Sequence, residues 1–273
     1  MTPRLTWQTA TVSTVTDETP TVRTLALSVP DWGGHRAGQH LDIRLTGDDG
    51  YQAERSYSIA SAPGEPVAIT VERLDDGEVS PYLTEDVQAG DEIEVRGPIG
   101  GYFVWDGVAS DSVPLLLAAG GSGVVPLRAI LRHRSRIGSS VPVRLLYSVR
   151  SLGDVIYRSE LSSLSSLSSL SSAADGVQVI YTLTRQQPAG WTGYARRVDQ
   201  QMMSEVAWPV PVAAAPVVPG ASAPGVLSAD AGVPLAYVCG PTNFVEAVAA
   251  DLVALGYPPQ RVKTERFGAT GTP

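Results

Sequence analysis

Apolar and polar positions alternate in short runs over the first hundred residues, then merge into solid apolar blocks separated by helical stretches. β-rich or alternating runs occur at Thr9–Val15, Thr21–Val29, Gln39–Leu45, Arg55–Ala60, Val67–Leu74 and Asp91–Val95. A period of two reads as strands with one buried face. The segments Asp31–Gly34, Gly47–Gly50, Ala62–Gly64 and Asp75–Gly77 between them are turns by composition. Strands at this spacing predict a small antiparallel β-barrel.

The pattern changes near Ala109. Pro114–Gly121 is wholly apolar before its glycines, as expected of a strand buried on both faces. Apolar runs recur at Val143–Val149, Val177–Leu183, Leu235–Cys239 and Val262–Thr264, with helix-compatible stretches at Val124–His133, Asp154–Leu161, Arg196–Val206 and Thr242–Leu255. Strand and helix in alternation predict an α/β domain with a parallel sheet. The division is therefore a barrel over residues 1–108 and an α/β domain over 109–273. Two stretches read as insertions. A Leu-Ser-Ser repeat at 161–173 puts leucine at every third position and predicts a frayed helix end or flexible loop. The Pro/Ala/Val-rich segment 209–233 lacks periodicity and predicts disorder.

Composition narrows the classes. The chain has 273 residues, 43% hydrophobic, with net charge −8. A global basic field for nucleic acid is absent. The single cysteine, Cys239, leaves no internal disulfide, no CxxC pair and no cysteine-ligated cluster. No metal site is expected. The N-terminal twenty residues lack an apolar signal or anchor, so no membrane insertion is expected and the cytoplasm is the default.

Three constellations carry chemistry. Arg55–Ser58 (RSYS) offers a forked cation and a flat ring on one face of a strand, with Ser56 and Ser58 on the other. Downstream, Gly77 leads into a helix start in which Ser80 is the expected N-cap and Pro81 the first helical residue; helix N-termini receive phosphates. The second is Gly120–Pro126 (GGSGVVP), a glycine-rich turn between an apolar strand and a helix, as a dinucleotide site requires. The third pairs Tyr237–Pro241 (YVCGP) with Thr264–Phe267 (TERF), each at the carboxyl end of a predicted strand.

In this order the motifs resemble the ferredoxin–NADP reductase family of flavoenzymes over nearly the whole chain. The resemblance implies that Arg55, Ser56, Tyr57 and Ser58 hold FAD, with Tyr57 on the isoalloxazine ring, Ser58 near its N5 and Arg55 at phosphate. Val71, Gly77, Val79 and Ser80 would complete the flavin site, and Gly97–Gly100 with Tyr102 and Phe103 would close the barrel. Gly121, Gly123, Val124 and Pro126 match the dinucleotide turn. Cys239, Gly240 and Pro241 would lie beside the nicotinamide, Glu265 and Phe267 over the flavin. Ser58, Cys239 and Glu265 are the implied catalytic residues. Thr184 and Arg185 resemble a pair that holds a 2′-phosphate, and Arg150, Arg196 and Arg197 are further cations for it, favouring NADP with NAD open. The implied function is electron transfer from NADPH through FAD to a separate acceptor, a ferredoxin or an oxygenase component. A stand-alone flavin or quinone reductase, a docking electron-transfer subunit, a regulatory nucleotide-binding module, and FMN in place of FAD stay open.

Overall fold

The computed structural model describes residues 5–107, 113–168, 176–211 and 232–268; the expected boundary at 108–112 and most of the second insertion lie outside them. The N-terminal half is a six-stranded antiparallel sheet: β1 (Gln8–Thr19), β2 (Val22–Ser28), β3 (His40–Thr46), β4 (Gln52–Ser58), β5 (Val67–Glu72) and β6 (Glu92–Ile99), in the order β4-β3-β6-β1-β2-β5. The end strands β4 and β5 meet through an Ile59–Ile69 bridge and an Ala60 N–H to Ala68 carbonyl bond of 2.7 Å, which closes the barrel. Alternate residues fill its interior: Leu25, Leu41, Ile43, Ile59, Ile69 and Val95 are fully buried. A short helix, α1 (Ser80–Glu85), bridges β5 and β6.

The C-terminal half is a parallel sheet of β7 (Leu115–Gly120), β8 (Val143–Val149), β9 (Val177–Leu183), β10 (Leu235–Pro241) and β11 (Val262–Phe267), in the order β11-β10-β7-β8-β9. The crossover helices are α2 (Val124–Arg136), α3 (Arg158–Ser168), α4 (Gln200–Val206) and α5 (Thr242–Ala254). Strand β7 is buried at every residue because both faces are covered. Leu115, Leu117 and Ala119 face a core shared with α2, while Leu116 and Ala118 face one shared with α4 and α5. The first core also takes in Ala37, Ala60, Phe103 and Trp105 from the barrel side, so the two halves pack through continuous apolar contact. Strand order reverses between β7 and β10, which opens a crevice at their carboxyl ends.

Three local expectations shift. Helix α3 begins at Arg158, after a 3₁₀ turn at Leu152–Asp154, and runs on to Ser168 through the first Leu-Ser-Ser repeats. Leu161 is fully buried and Leu164 packs on the same core, which holds the helix where serine alone would release it; residues 169–175 are outside the described ones. Helix α4 starts at Gln200 rather than Arg196, because the Asp199 carboxylate accepts from the Met202 N–H and caps it. Helix α1 begins one residue early: Val79 is its N-cap, and the Ser80 hydroxyl instead accepts from the Leu74 N–H at 3.0 Å. Among the described residues no helix is long and apolar enough to cross a membrane.

Candidate functional site

Two cavities lie along the seam between the halves. One, of about 320 Å³, is walled by Arg55–Ser58 of β4, Thr70 and Glu72 of β5, and the Gly77–Ser80 turn. The other, of about 500 Å³, lies over the crevice and is walled by Gly120–Ser122, Arg150, Asp154, Thr184, Arg197, Pro241 and Asn243. Glu72, Ser122 and Phe267 border both, so the cavities abut.

The β3–β4 register places Tyr57 opposite Leu41 and Arg55 opposite Ile43, with Ser56 opposite Asp42. Ser56 accordingly turns away from the barrel and donates to Asp42 at 2.6 Å. All four motif residues still border the first cavity, because β4 is an end strand beside the barrel's closure. Burial raises the Tyr57 phenol well above its ordinary value, so it stays neutral. Arg55 is already engaged: its Nη2 lies 2.7 Å from Glu78 Oε2, and the Tyr51 hydroxyl donates to the other oxygen of Glu78 at 2.9 Å. Gly77, Val79 and Ser80 border this cavity; a Cβ on Gly77 would meet the Ser80 hydroxyl at 2.9 Å. Val71 does not border it. Its side chain is fully buried in the barrel core, and its neighbours Thr70 and Glu72 point to the cavity instead, as strand alternation requires.

In the glycine turn, Gly121 adopts a left-handed φ of 55° and lines the second cavity. Gly123 does not; a Cβ there would sit 2.0 Å from the Cys239 carbonyl oxygen, so this glycine lets the turn pack against β10. Val124 and Pro126 are buried in the first turn of α2 and line neither cavity, whereas Val125 borders the first. Gly240 is buried against the Phe244 ring and Gly120, and Pro241 beside it reaches the second cavity.

Cys239 is fully buried and borders neither cavity. It pairs in register with Glu265 on β11, and its thiol donates to Glu265 Oε2 at 3.8 Å. Burial pushes that thiol well above its ordinary value and pushes the Glu265 carboxyl up to about 7. The second oxygen of Glu265 lies 3.8 Å from His40 Nδ1, and His40 is the cross-strand partner of Ser58. Burial lowers the His40 pKa, so the imidazole and carboxyl meet as a weakly charged pair near neutrality. His40 thus brings Ser58, Glu265 and Cys239 into one neighbourhood, although motif reading passed over it. Phe267, two residues beyond Glu265, borders both cavities.

Of the cations proposed for a 2′-phosphate, Arg150 and Arg197 border the second cavity with Thr184; Arg185 and Arg196 do not. Arg196 is held by Asp199 at 2.6 Å, and Arg185 donates its backbone N–H to the Arg150 carbonyl at 2.9 Å. Among the described residues neither Arg150 nor Arg197 has a carboxylate partner. An acidic residue that the motif reading did not include, Asp154, also borders the cavity, its Oδ2 accepting from the Ser151 N–H at 2.8 Å and hydroxyl at 2.6 Å. Among the described residues no group of three or more His, Cys, Asp or Glu side chains is placed to hold a metal.

A closed barrel thus faces a parallel sheet across two abutting cavities, the architecture of a two-domain protein with one site on each side of a shared wall. Residues 9–104 match the oxidoreductase FAD-binding domain and residues 117–250 the oxidoreductase NAD-binding domain. The chain belongs to the ferredoxin–NADP reductase family. It is 29% identical over 237 residues to the glycine betaine monooxygenase reductase subunit of Chromohalobacter salexigens, covering 86% of this chain and 56% of that protein. It is 36% identical over 148 residues to the NADH oxidoreductase HCR of Escherichia coli, covering 54% of this chain and 44% of that protein. The chain thus spans about half the length of these curated relatives. In fold it is similar to a ferredoxin NADP+ reductase from Neisseria gonorrhoeae solved with FAD and NADP, with a TM-score of 0.71, 19% identity, and coverage of 95% of this chain and 98% of that one.

Proposed function

We propose that this chain is an FAD-dependent NAD(P)H oxidoreductase that takes electrons from NADPH and passes them to a separate acceptor, a ferredoxin or an oxygenase component. The observation that carries this reading is the abutment of the two cavities at Ser122 and Phe267, since a ring from each side then meets across one wall. FAD, when held by Arg55, Tyr57, Ser58 and the Gly77–Ser80 turn, would supply the chemistry of hydride acceptance and one-electron release. The chain's own residues bind and place. Tyr57 presents a neutral ring to the flavin-side cavity, and the Ser58 hydroxyl makes no hydrogen bond with the described protein groups and is free to donate to a ligand. Arg55 would exchange its exposed Glu78 partner for a phosphate, a geometry its fork suits. The donor set fits the group.

Arg150 and Arg197 give the second cavity two guanidinium groups with no carboxylate partner among the described residues, which supports NADPH over NADH; the Asp154 carboxylate, partly spent on Ser151, is the feature that would favour NADH by accepting a ribose hydroxyl. Phe267 would yield its place to the nicotinamide. Glu265, half-protonated near neutral pH, stands behind it with Cys239 as a buried partner. The names of the monooxygenase relatives favour an oxygenase component as acceptor. A cytoplasmic setting fits the free thiol. Anaerobic titration with NADPH and NADH tests donor and flavin together: NADPH should bleach the flavin stoichiometrically at lower concentration than NADH, and a flavin that neither nucleotide bleaches would overturn the proposal.

A further inference from the structure

We infer that Tyr157 is a positioning residue that fixes the nucleotide-binding half against the flavin barrel, through a hydrogen-bonded chain that crosses the seam and ends on Glu18. This inference rests on the reductase reading. Tyr157 follows directly on the loop that supplies Asp154 and Ile156 to the nucleotide-side cavity, yet its own side chain is buried and borders neither cavity. It is the one described non-glycine residue with a left-handed backbone, φ 59°. A tyrosine holds that conformation only where its surroundings over-determine it.

What holds it reaches into the other half of the molecule. The Tyr157 hydroxyl donates to the Thr70 hydroxyl on β5. Thr70 lies 2.8 Å from the Thr24 hydroxyl on β2, and Thr24 donates to Glu18 Oε1 at 2.7 Å. Each threonine has one proton to give. Thr24 spends its proton on Glu18, so Thr70 must donate to Thr24 and must accept from Tyr157. The four groups therefore form a one-way chain that terminates on a carboxylate, and each bond polarises the next. Burial lifts the Tyr157 phenol far above its ordinary value, so it remains a donor throughout the working pH range. The ring itself is clamped by the Arg128 guanidinium, 4.1 Å from its centroid, and Arg128 is fastened to Glu160 at 2.8 Å and to the barrel's Ala60 carbonyl at 3.4 Å.

Thr70, the second link of the chain, borders the flavin-side cavity, and Tyr157, its donor end, directly follows the loop that walls the nucleotide-side cavity. A bond spanning both walls sets the distance and tilt between rings held in each. Small misplacements of reacting atoms cost large factors in rate.

Tyr157→Phe removes the hydroxyl and keeps the clamped ring. The holoprotein variant should retain its flavin, and its limiting rate of flavin bleaching by saturating NADPH should fall about tenfold, with little change in the half-saturating concentration. Thr70→Val should give the same loss, the double variant no further loss, and Thr70→Ser near wild-type rate. A wild-type rate in Tyr157→Phe, or additive losses in the double variant, would overturn the inference. Hydrogen exchange at amides 154–161 separates this from the reductase reading. Should neither nucleotide bleach the wild type, that reading falls; faster exchange in Tyr157→Phe then still supports the tether, and unchanged exchange refutes it.

Discussion

The two cavities are built on opposite plans. Three of the polar side chains that wall the flavin-side cavity already have partners: Arg55 holds Glu78, Ser56 holds Asp42, and Ser80 accepts from Leu74. The nucleotide-side cavity is walled by backbone at a glycine turn and by two arginines that have no carboxylate partner among the described residues. A ligand entering the first must displace bonds, but finds the wall rigid. A ligand entering the second meets free charge, and can arrive and leave without rearranging ion pairs. That contrast suits a resident cofactor on one side and an exchanging substrate on the other, and it is open to direct attack.

The largest effect belongs to the free charges. Each charge-assisted contact to a phosphate contributes about 1.5–3 kcal/mol. Replacing both Arg150 and Arg197 by Ala should therefore lower kcat/KM for NADPH by about 10²–10⁴-fold while leaving NADH nearly unaffected. Equal losses with both nucleotides in steady-state assays would erase the distinction. Next comes Arg55→Ala, which should weaken flavin retention by about 10- to 100-fold, measured as flavin content after dialysis. If that variant kept its full yellow colour, Arg55 would have no phosphate to hold. Removing the competitor sharpens the point: Glu78→Gln frees Arg55, and flavin should then be held a few-fold more tightly than in the wild type.

Ser58→Ala comes third. The flavin should stay bound and its reduction by NADPH slow by about tenfold, since a single neutral hydrogen bond is at stake; unchanged single-turnover kinetics would remove Ser58 from the mechanism. The smallest effect is thermodynamic. The Glu265 carboxyl titrates near 7 in the folded protein, above its ordinary 4.5. Between those values the folded protein keeps a proton that the unfolded chain has released, so stability falls as pH rises through that window and levels off above it. Glu265→Gln carries no such proton. Its Tm should exceed that of the wild type by a margin that grows by several degrees from pH 5 to pH 8, and parallel curves would show that Glu265 is not buried as described.

The barrel and the sheet were both legible in the chain, because their strands follow two clear rules: alternation in the first half and solid apolar runs in the second. Motifs located the glycine turn and the β4 segment for the same reason, since backbone conformation and residue type are local. Less was legible where partners come from afar. His40 carries no motif, and counting outward from the Gly47–Gly50 turn would set it opposite Tyr57; its pairing with Ser58 depends on a connection one residue longer, 47–51, which composition does not mark. Val71 was misplaced by one step of strand alternation. Gly123 and Pro126 match the turn's pattern yet serve its packing on β10 and the start of α2. Glu78 and Asp154 could not be assigned from sequence, because their roles depend on which wall of which cavity their loops reach.

Anaerobic mixing of the flavin-loaded protein with NADPH carrying deuterium at the transferred C4 position tests the shared cleft most directly. Rings stacked across the Ser122 and Phe267 wall predict rapid loss of flavin colour with a primary deuterium isotope effect on its rate. Bleaching without an isotope effect at saturating NADPH, or no bleaching at all, would contradict direct transfer between the two sites.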